Sequence, residues 1–248
     1  ALDPGATAGV RITLDRGKEK LAGMAYAGLS PCMQGPPLQH IELRVPPLGD
    51  GVEEVWTVAL QLTRDVADAA RFDAWVERDD RTQKAQSSFV PQPGDADRGC
   101  SLGSVACGRR TICVGAYDAT VPGAEPAAFS SAGPTRDGRE KPDIVAPGIE
   151  VRAAFAGGGR PMEGSAFINP MRGVMHGTSV AAPHAAGVAA LMLQANPTLD
   201  AEAIREGMRA TTQRAPPADA ERPWHPRLGC GPLDGAAAIA WAIARRQP

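Results

Sequence analysis

The stretch that decides the fold is His176 to Pro197, HGTSVAAPHAAGVAALMLQANP. A glycine turn here leads into a helix that is apolar over nearly all its length, and Ser179 falls at the helix start. The first N–H groups of a helix have no intrahelical acceptor, and with the helix dipole they favour an anion beside this serine. The oxyanion of an acyl-transfer intermediate is such an anion. The pattern therefore indicates a nucleophilic serine.

The predicted helix has defined ends and an apolar surface. Pro183 lies close enough to the helix start for its missing N–H to cost little. Asn196 precedes Pro197, and this position disfavours helical backbone, so the helix ends there. From Ala185 to Leu193 every side carries small or aliphatic residues. We therefore expect a buried helix that holds its first turn still.

The residues Gly177 to His184, GTSVAAPH, resemble the serine motif of the subtilisin-like proteases, the subtilases. The family pattern is Gly-Thr-Ser-x-Ala-(Ala/Ser)-Pro-His. The resemblance implies that Ser179 is the catalytic nucleophile of a serine endopeptidase acting on a peptide or protein substrate. The plain alternative is a serine N-cap on a buried helix, which GTS alone would permit.

A second stretch, Phe129 to Gly148, is similar to the segment that precedes the serine motif in the same family. Pro134 and Asp137-Gly138 are turn signals, and residues 143–146 form a short apolar run that Pro147-Gly148 ends. The run indicates a buried strand between two turns.

Other segments fit the same family order. Residues 111–117, TICVGAY, indicate a buried parallel strand. Asp200 is a good N-cap for a helix over 201–210, and the glycine turn 229–235 with the helix after it resembles the family's closing elements. The glycine-rich residues 149–172 predict a surface loop near the serine turn.

The first part of the chain has the rhythm of short strands separated by turns. Four segments indicate strands: Val10–Leu14, His40–Val45, Val55–Leu60 and Arg71–Glu77. Strands at this spacing favour a β-sandwich. Some subtilases, including bacterial spore-germination proteases, carry a jelly-roll-like insertion ahead of the strand that leads to the serine.

These observations predict an α/β fold class with two domains. Residues 1–107 would form an inserted jelly-roll-like β-sandwich. Residues 108–248 would form the C-terminal half of a three-layer subtilisin-like catalytic domain with a parallel sheet.

The chain lacks the other residues that a subtilase needs. A serine hydroxyl needs a histidine base, an aspartate orients that histidine, and in the family an asparagine donates to the oxyanion. The sequence has no Asp-(Ser/Thr)-Gly and no His-Gly-Thr-His, and Asn169 and Asn196 lack the Ala-Gly-Asn context. The four histidines fit a strand face, the serine turn, the serine helix and a proline-flanked loop: His40, His176, His184 and His225.

The sequence therefore predicts that an N-terminal portion of the same protease, in one precursor or as a separate chain, supplies these groups. Alone, this chain would be incomplete and inactive. It would also expose an apolar sheet edge, so we expect it to need its other half or to self-associate.

Two other classes of function remain open. A pseudoprotease or partner-binding module would explain the missing motifs, although a scaffold has no need of the serine hydroxyl. An unrelated serine esterase is disfavoured because Gly-Thr-Ser-Val-Ala lacks the second glycine of a nucleophile elbow.

Composition limits the partners. Of 248 residues, 26 are Lys or Arg and 28 are Asp or Glu, a net charge of -2 that indicates neither nucleic acid nor an anionic membrane as a partner. No apolar run is long enough to span a bilayer, and no secretion leader is recognisable. Abundant arginine and alanine suit a GC-rich bacterial genome.

The sequence indicates no cofactor. Five cysteines without metal-ligand spacing indicate packed thiols rather than a disulfide framework, which slightly favours a cytoplasmic location. No acidic ligand cluster stands out, and a structural calcium ion is implied only by the family resemblance.

Overall fold

A computed structural model describes eight parts of the chain: residues 10–15, 24–30, 38–44, 57–62, 99–155, 166–169, 171–213 and 224–246. The chain divides into two compact units. The first comprises Ala1–Glu77 and Ser87–Val90, and the second comprises Arg78–Gln86 and Pro91–Pro248.

The described part of the first unit consists of four strands: β1 (Val10–Asp15), β2 (Met24–Ser30), β3 (Leu38–Arg44) and β4 (Thr57–Leu62). β1 pairs antiparallel with β4, and β2 pairs antiparallel with β3, so one pair is nested inside the other in sequence. Three of the predicted strands correspond to β1, β3 and β4. The sequence did not predict β2, because its alanines and glycine are poor strand formers. The strand predicted at Arg71–Glu77 lies outside the described residues.

The second unit contains the predicted parallel pair of strands, β5 (Val114–Tyr117) and β6 (Ile144–Pro147). Ala116 in β5 and residues 144–146 in β6 are completely inaccessible to solvent. On its other side β6 is bonded by the segment 231–233, since the Val145 N–H donates to the Gly231 carbonyl at 3.0 Å. The expected buried parallel strands are thus confirmed.

Three helices follow: α1 (Thr178–Ala195), α2 (Ala201–Ala210) and α3 (Gly235–Ala244). The predicted N-cap of α2 is confirmed, because the Asp200 carboxylate accepts from the Ala203 N–H at 2.8 Å. Buried side chains of the three helices join Ile144 of β6 in one apolar core, which includes Met192, Met208 and Ala242. The core therefore ties the serine helix to the strands.

The prediction that α1 is buried on all sides is wrong for this chain. Only Ala181, Ala185 and Met192 of the helix are buried, while Leu191 is 47% and Leu193 39% exposed. α1 contacts α3, β5 and β6, and these elements cover one side of it. A uniformly apolar helix does not reveal which of its sides its own chain covers.

The segment 149–172 also differs from the expected loop. It contributes β7 (Val151–Ala154), β8 (Ala166–Asn169) and the start of β9 (Arg172–Met175), which form an antiparallel sheet in the order β7-β9-β8. These strands are held by pairing with one another, with Val151 opposite Met175. A glycine-rich sequence has no alternating apolar pattern that would predict such strands. Residues 156–165 lie outside the described residues.

Candidate active site

The serine predicted as nucleophile stands on the first turn of α1, immediately after β9. Gly177 has a φ of 138°, a conformation that side-chain-bearing residues rarely adopt, and its carbonyl accepts from the N–H groups of Val180 and Ala181. The N–H groups of Thr178 and Ser179 have no acceptor among the described residues. Ser179 is exposed. Its hydroxyl therefore lies next to free backbone donors at the positive end of a helix.

The carboxyl ends of the two parallel strands hold this turn. The Gly177 N–H donates to the Gly148 carbonyl at 2.8 Å, and the Gly148 N–H donates to the Tyr117 carbonyl at 3.0 Å. A Cβ on Gly148 would lie 2.4 Å from the Ala116 Cβ, so glycine is required for this close approach. The serine turn is therefore attached by backbone bonds to the most buried part of the second unit.

A buried ion pair stabilises the opposite ends of the same strands. The Lys141 Nζ lies 2.6 Å from Asp143 Oδ2 and donates to the Thr111 carbonyl at 2.5 Å. The Cys113 N–H also donates to Oδ2 at 2.7 Å, and Arg209 reaches Oδ1 at 3.3 Å. Burial of charge is tolerated only when it is paired in this way. The sequence reasoning missed this pair, although Lys-Pro-Asp directly before an apolar run was a signal for it.

Three histidines of the second unit make hydrogen bonds away from the nucleophile. The His184 Nδ1 lies 2.9 Å from the carbonyl one turn earlier in α1, and the His225 Nδ1 accepts two N–H groups of its own turn. The His176 Nδ1 accepts from the Glu150 N–H at 3.2 Å. None of the described residues forms a hydrogen bond with the Ser179 hydroxyl. This agrees with the interpretation that these histidines have other roles.

Asn196 is a structural residue. It is 1% exposed at the C-terminal end of α1, where its amide donates to the Ala242 carbonyl at 3.2 Å and its Oδ1 accepts from Thr198. Its amide group thus joins the end of α1 to α3 and its Oδ1 holds the turn after α1, at the far end of the helix from Ser179. For Asn169 and His40 the structure describes only the backbone, within β8 and β3.

The thiols and acidic groups that the structure describes suggest no second reactive centre. Cys100, Cys107, Cys113 and Cys230 are free thiols. Burial, with a smaller contribution from the nearby Asp143 carboxylate, raises the pKa of Cys113 to about 12, and so disfavours the reactive thiolate. No group of three His, Cys, Asp or Glu side chains able to hold a metal ion occurs among the described residues. We therefore assign no calcium site. Within the same residues no helix has both the length and the apolar character to cross a membrane.

Comparison with known proteins defines the class. Residues 64–231, more than half of the chain, match the sequence model of the subtilase family, Peptidase S8. The chain belongs to the subtilase family, a family of serine peptidases that act on peptides or proteins, which confirms the resemblance seen in the serine motif.

Curated relatives match the chain in part. It is 35% identical over 120 residues to the serine protease AprX of Bacillus subtilis (strain 168), covering 46% of this chain and 27% of AprX. It is 41% identical over 91 residues to the subtilisin-like protease SBT4.3 of Arabidopsis thaliana, covering 34% of this chain and 12% of that protein. The matches thus span about a quarter or less of these relatives' length. Because they include a plant protein, the bacterial origin stays a prediction.

A solved structure supports the fold. The Clostridium perfringens CspB protease is similar with a TM-score of 0.63 and 20% identity, over 96% of this chain and 50% of that one. At this identity the likeness shows the fold alone. With the family match, it confirms a subtilisin-like α/β fold with a parallel sheet.

Proposed function

We propose that this chain is part of a subtilisin-like serine endopeptidase whose nucleophile is Ser179. The observation that carries the proposal is the exposed serine on the first turn of α1, beside unpaired backbone N–H groups. The hydroxyl oxygen attacks the peptide carbonyl while its proton passes to a histidine base. The negative charge that develops on the carbonyl oxygen is stabilised by the Ser179 N–H and the helix dipole.

The histidine base, its aspartate and the oxyanion asparagine come from an N-terminal portion of the same protease. Support comes from the histidines of the second unit, none of which bonds to the Ser179 hydroxyl, and from the absence of both family motifs in the sequence. The partial coverage of AprX and CspB is consistent with a longer whole protein.

The exposed side of α1 is the surface that this N-terminal portion would cover. Leu191 and Leu193 are more than a third exposed, although exposed leucines on a helix this apolar are unfavourable in water. The serine stands at the start of the same helix. Covering this side would therefore bring the missing catalytic groups towards the nucleophile.

The first unit is proposed to be the jelly-roll-like insertion. The nested antiparallel pairing of β1 with β4 around β2 with β3 is typical of such folds. The likeness to CspB also covers 96% of the chain, more than residues 108–248 alone could account for.

A non-catalytic pseudoprotease or partner-binding module is the second candidate. It is favoured by the lack of any described hydrogen bond to the Ser179 hydroxyl. The sequence of the whole gene decides between the two: intact Asp-(Ser/Thr)-Gly and His-Gly-Thr-His motifs indicate a protease, and substituted motifs a pseudoprotease.

The proposal is tested with the protein expressed from its whole gene. Ser179→Ala should reduce peptide hydrolysis to a residual acceleration of roughly a thousand- to ten-thousand-fold over water, because the oxyanion donors remain. Ser104→Ala, at an exposed serine of the same unit, is the control and should leave the rate unchanged. If Ser179→Ala keeps near-normal hydrolysis, the nucleophile is assigned wrongly.

A further inference from the structure

We propose that His176 is a positioning residue for the nucleophile: its ring fastens the serine turn to the turn that follows β6. The proposal rests on the proposed function, since positioning matters only if Ser179 is the attacking group. Together we call Gly148, Glu150, His176 and Gly177 the serine clamp.

Two hydrogen bonds of opposite direction form the serine clamp. The Gly177 N–H donates to the Gly148 carbonyl at 2.8 Å, and the Glu150 N–H donates to the His176 Nδ1 at 3.2 Å. Two bonds fix both the distance and the relative rotation of two turns, whereas one bond leaves them free to pivot. Ser179 lies two residues beyond Gly177, so a pivot here moves its hydroxyl.

The backbone explains why a side chain is needed. Val151 and Met175 are the last residues paired between β7 and β9. Beyond them Glu150 has a φ of 53° and Gly177 a φ of 138°, so neither residue keeps the negative φ of its strand. The His176 ring supplies an acceptor at the point where the backbone ladder stops.

The bond defines the state of the imidazole. Nδ1 accepts a hydrogen bond only when it is unprotonated, so the neutral ring carries its proton on Nε2. An imidazolium presents N–H groups on both sides and cannot accept from Glu150. Of the two bonds in the serine clamp, only the one from Glu150 requires an unprotonated Nδ1, while the Gly177–Gly148 bond does not involve the ring.

The first test compares three variants in the protein expressed from its whole gene. His176→Ala should lower kcat about tenfold, the worth of about one hydrogen bond, with KM changed by less than about twofold. In His176→Asn the amide oxygen takes the place of Nδ1, so we expect kcat to return to within about twofold of the parent. His176→Gln extends its oxygen towards the position of Nε2 and should behave like alanine.

The kcat values of these three variants distinguish a positioning role of His176 from a role as catalytic base. Asparagine cannot act as a general base, so recovery with it excludes His176 as the catalytic base. His225→Ala is the control: its Nδ1 also accepts backbone N–H groups, but its turn lies by the amino-terminal end of β6, where the Cys230 N–H bonds to the Asp143 carbonyl. Unchanged kcat in His176→Ala, or equal kcat in the Asn and Gln variants, would overturn the proposal.

A second measurement needs no activity. In ¹⁵N spectra of the protein expressed from its whole gene, the neutral His176 ring should show Nδ1 unprotonated and Nε2 protonated, and amide exchange at Glu150 should quicken in His176→Ala. A protonated Nδ1 in the neutral ring would also overturn the proposal. If hydrolysis does not depend on Ser179, the proposed function fails while these spectra still decide the clamp.

Discussion

Ser179 and Asp143 show how two side chains of the same unit are used differently. Asp143 is fully buried and its oxygens are occupied by Lys141, Cys113 and Arg209, so it holds the strands together. Ser179 is exposed, and no described residue bonds to its hydroxyl. Polar groups that stabilise this unit are paired, whereas the group proposed to react is left accessible.

For single residues, the serine motif predicted more of the site than the amino-acid composition did. GTSVAAPH located Ser179 and its place on the first turn of α1, because glycine and the helix start leave few geometries. The Lys141–Asp143 pair and the contact of His176 with Glu150 were not predicted. The Lys-Pro-Asp sequence was a local signal for the first, whereas the second joins residues 26 positions apart that only the antiparallel sheet brings together.

The reactivity of Cys113 is a prediction for a single residue. Its pKa of about 12, raised mainly by burial, keeps it as a thiol at pH 8, so iodoacetamide should not modify it in the folded chain. Peptide mass spectrometry after brief alkylation measures this, and the same reaction in urea is the control. Alkylation of Cys113 at equal rates in both samples would contradict its burial.

The sequence predicted the helices and strands that a cap residue or an apolar run marks. It did not predict those that depend on pairing with strands elsewhere in the chain. α2 begins after its Asp200 cap as expected, and β5 and β6 coincide with apolar runs. The sheet of β7, β9 and β8 was mistaken for a loop because cross-strand pairing leaves little trace in glycine-rich sequence. The burial of α1 was overestimated for the related reason that its neighbours cover only one side.

The packing of α2 against α1 and α3 gives a prediction for these elements. A Cβ at Gly207 would lie 2.7 Å from the Trp241 ring and 2.8 Å from the Met192 Cε. Overpacking costs about 1–3 kcal/mol and the gain in helix propensity offsets about 1 kcal/mol of it, so Gly207→Ala should destabilise the chain by about 1 kcal/mol, and by about 2 kcal/mol at most.

The matched control for Gly207 is Gly187 in α1, where a Cβ would meet no atom within 4 Å. Gly187→Ala should be neutral or stabilising by up to about 1 kcal/mol. Urea unfolding of the two variants beside the parent chain measures both effects. Equal stability of Gly207→Ala and the parent would show that the helices are not packed this closely.

For the whole molecule, the family and the fold are shown. That this chain supplies the nucleophile and an N-terminal portion supplies the other catalytic residues stays a prediction. The division into two domains at residue 107 stays a prediction. The exposed leucines of α1 support the expectation that the chain needs its other half or self-associates. Sequence could not predict this surface, because exposure depends on which elements are present to cover it.

The central claim is that Ser179 is a protease nucleophile activated by groups outside this chain. Intact-mass analysis after treatment with a fluorophosphonate probe tests it most directly, with the chain alone and mixed with the proposed N-terminal portion, and with Ser179→Ala as control. We expect one probe adduct, at Ser179, in the mixture only. An adduct on the chain alone would show that one of its own histidines activates the serine, and no Ser179 adduct in the mixture would contradict the assignment of the nucleophile.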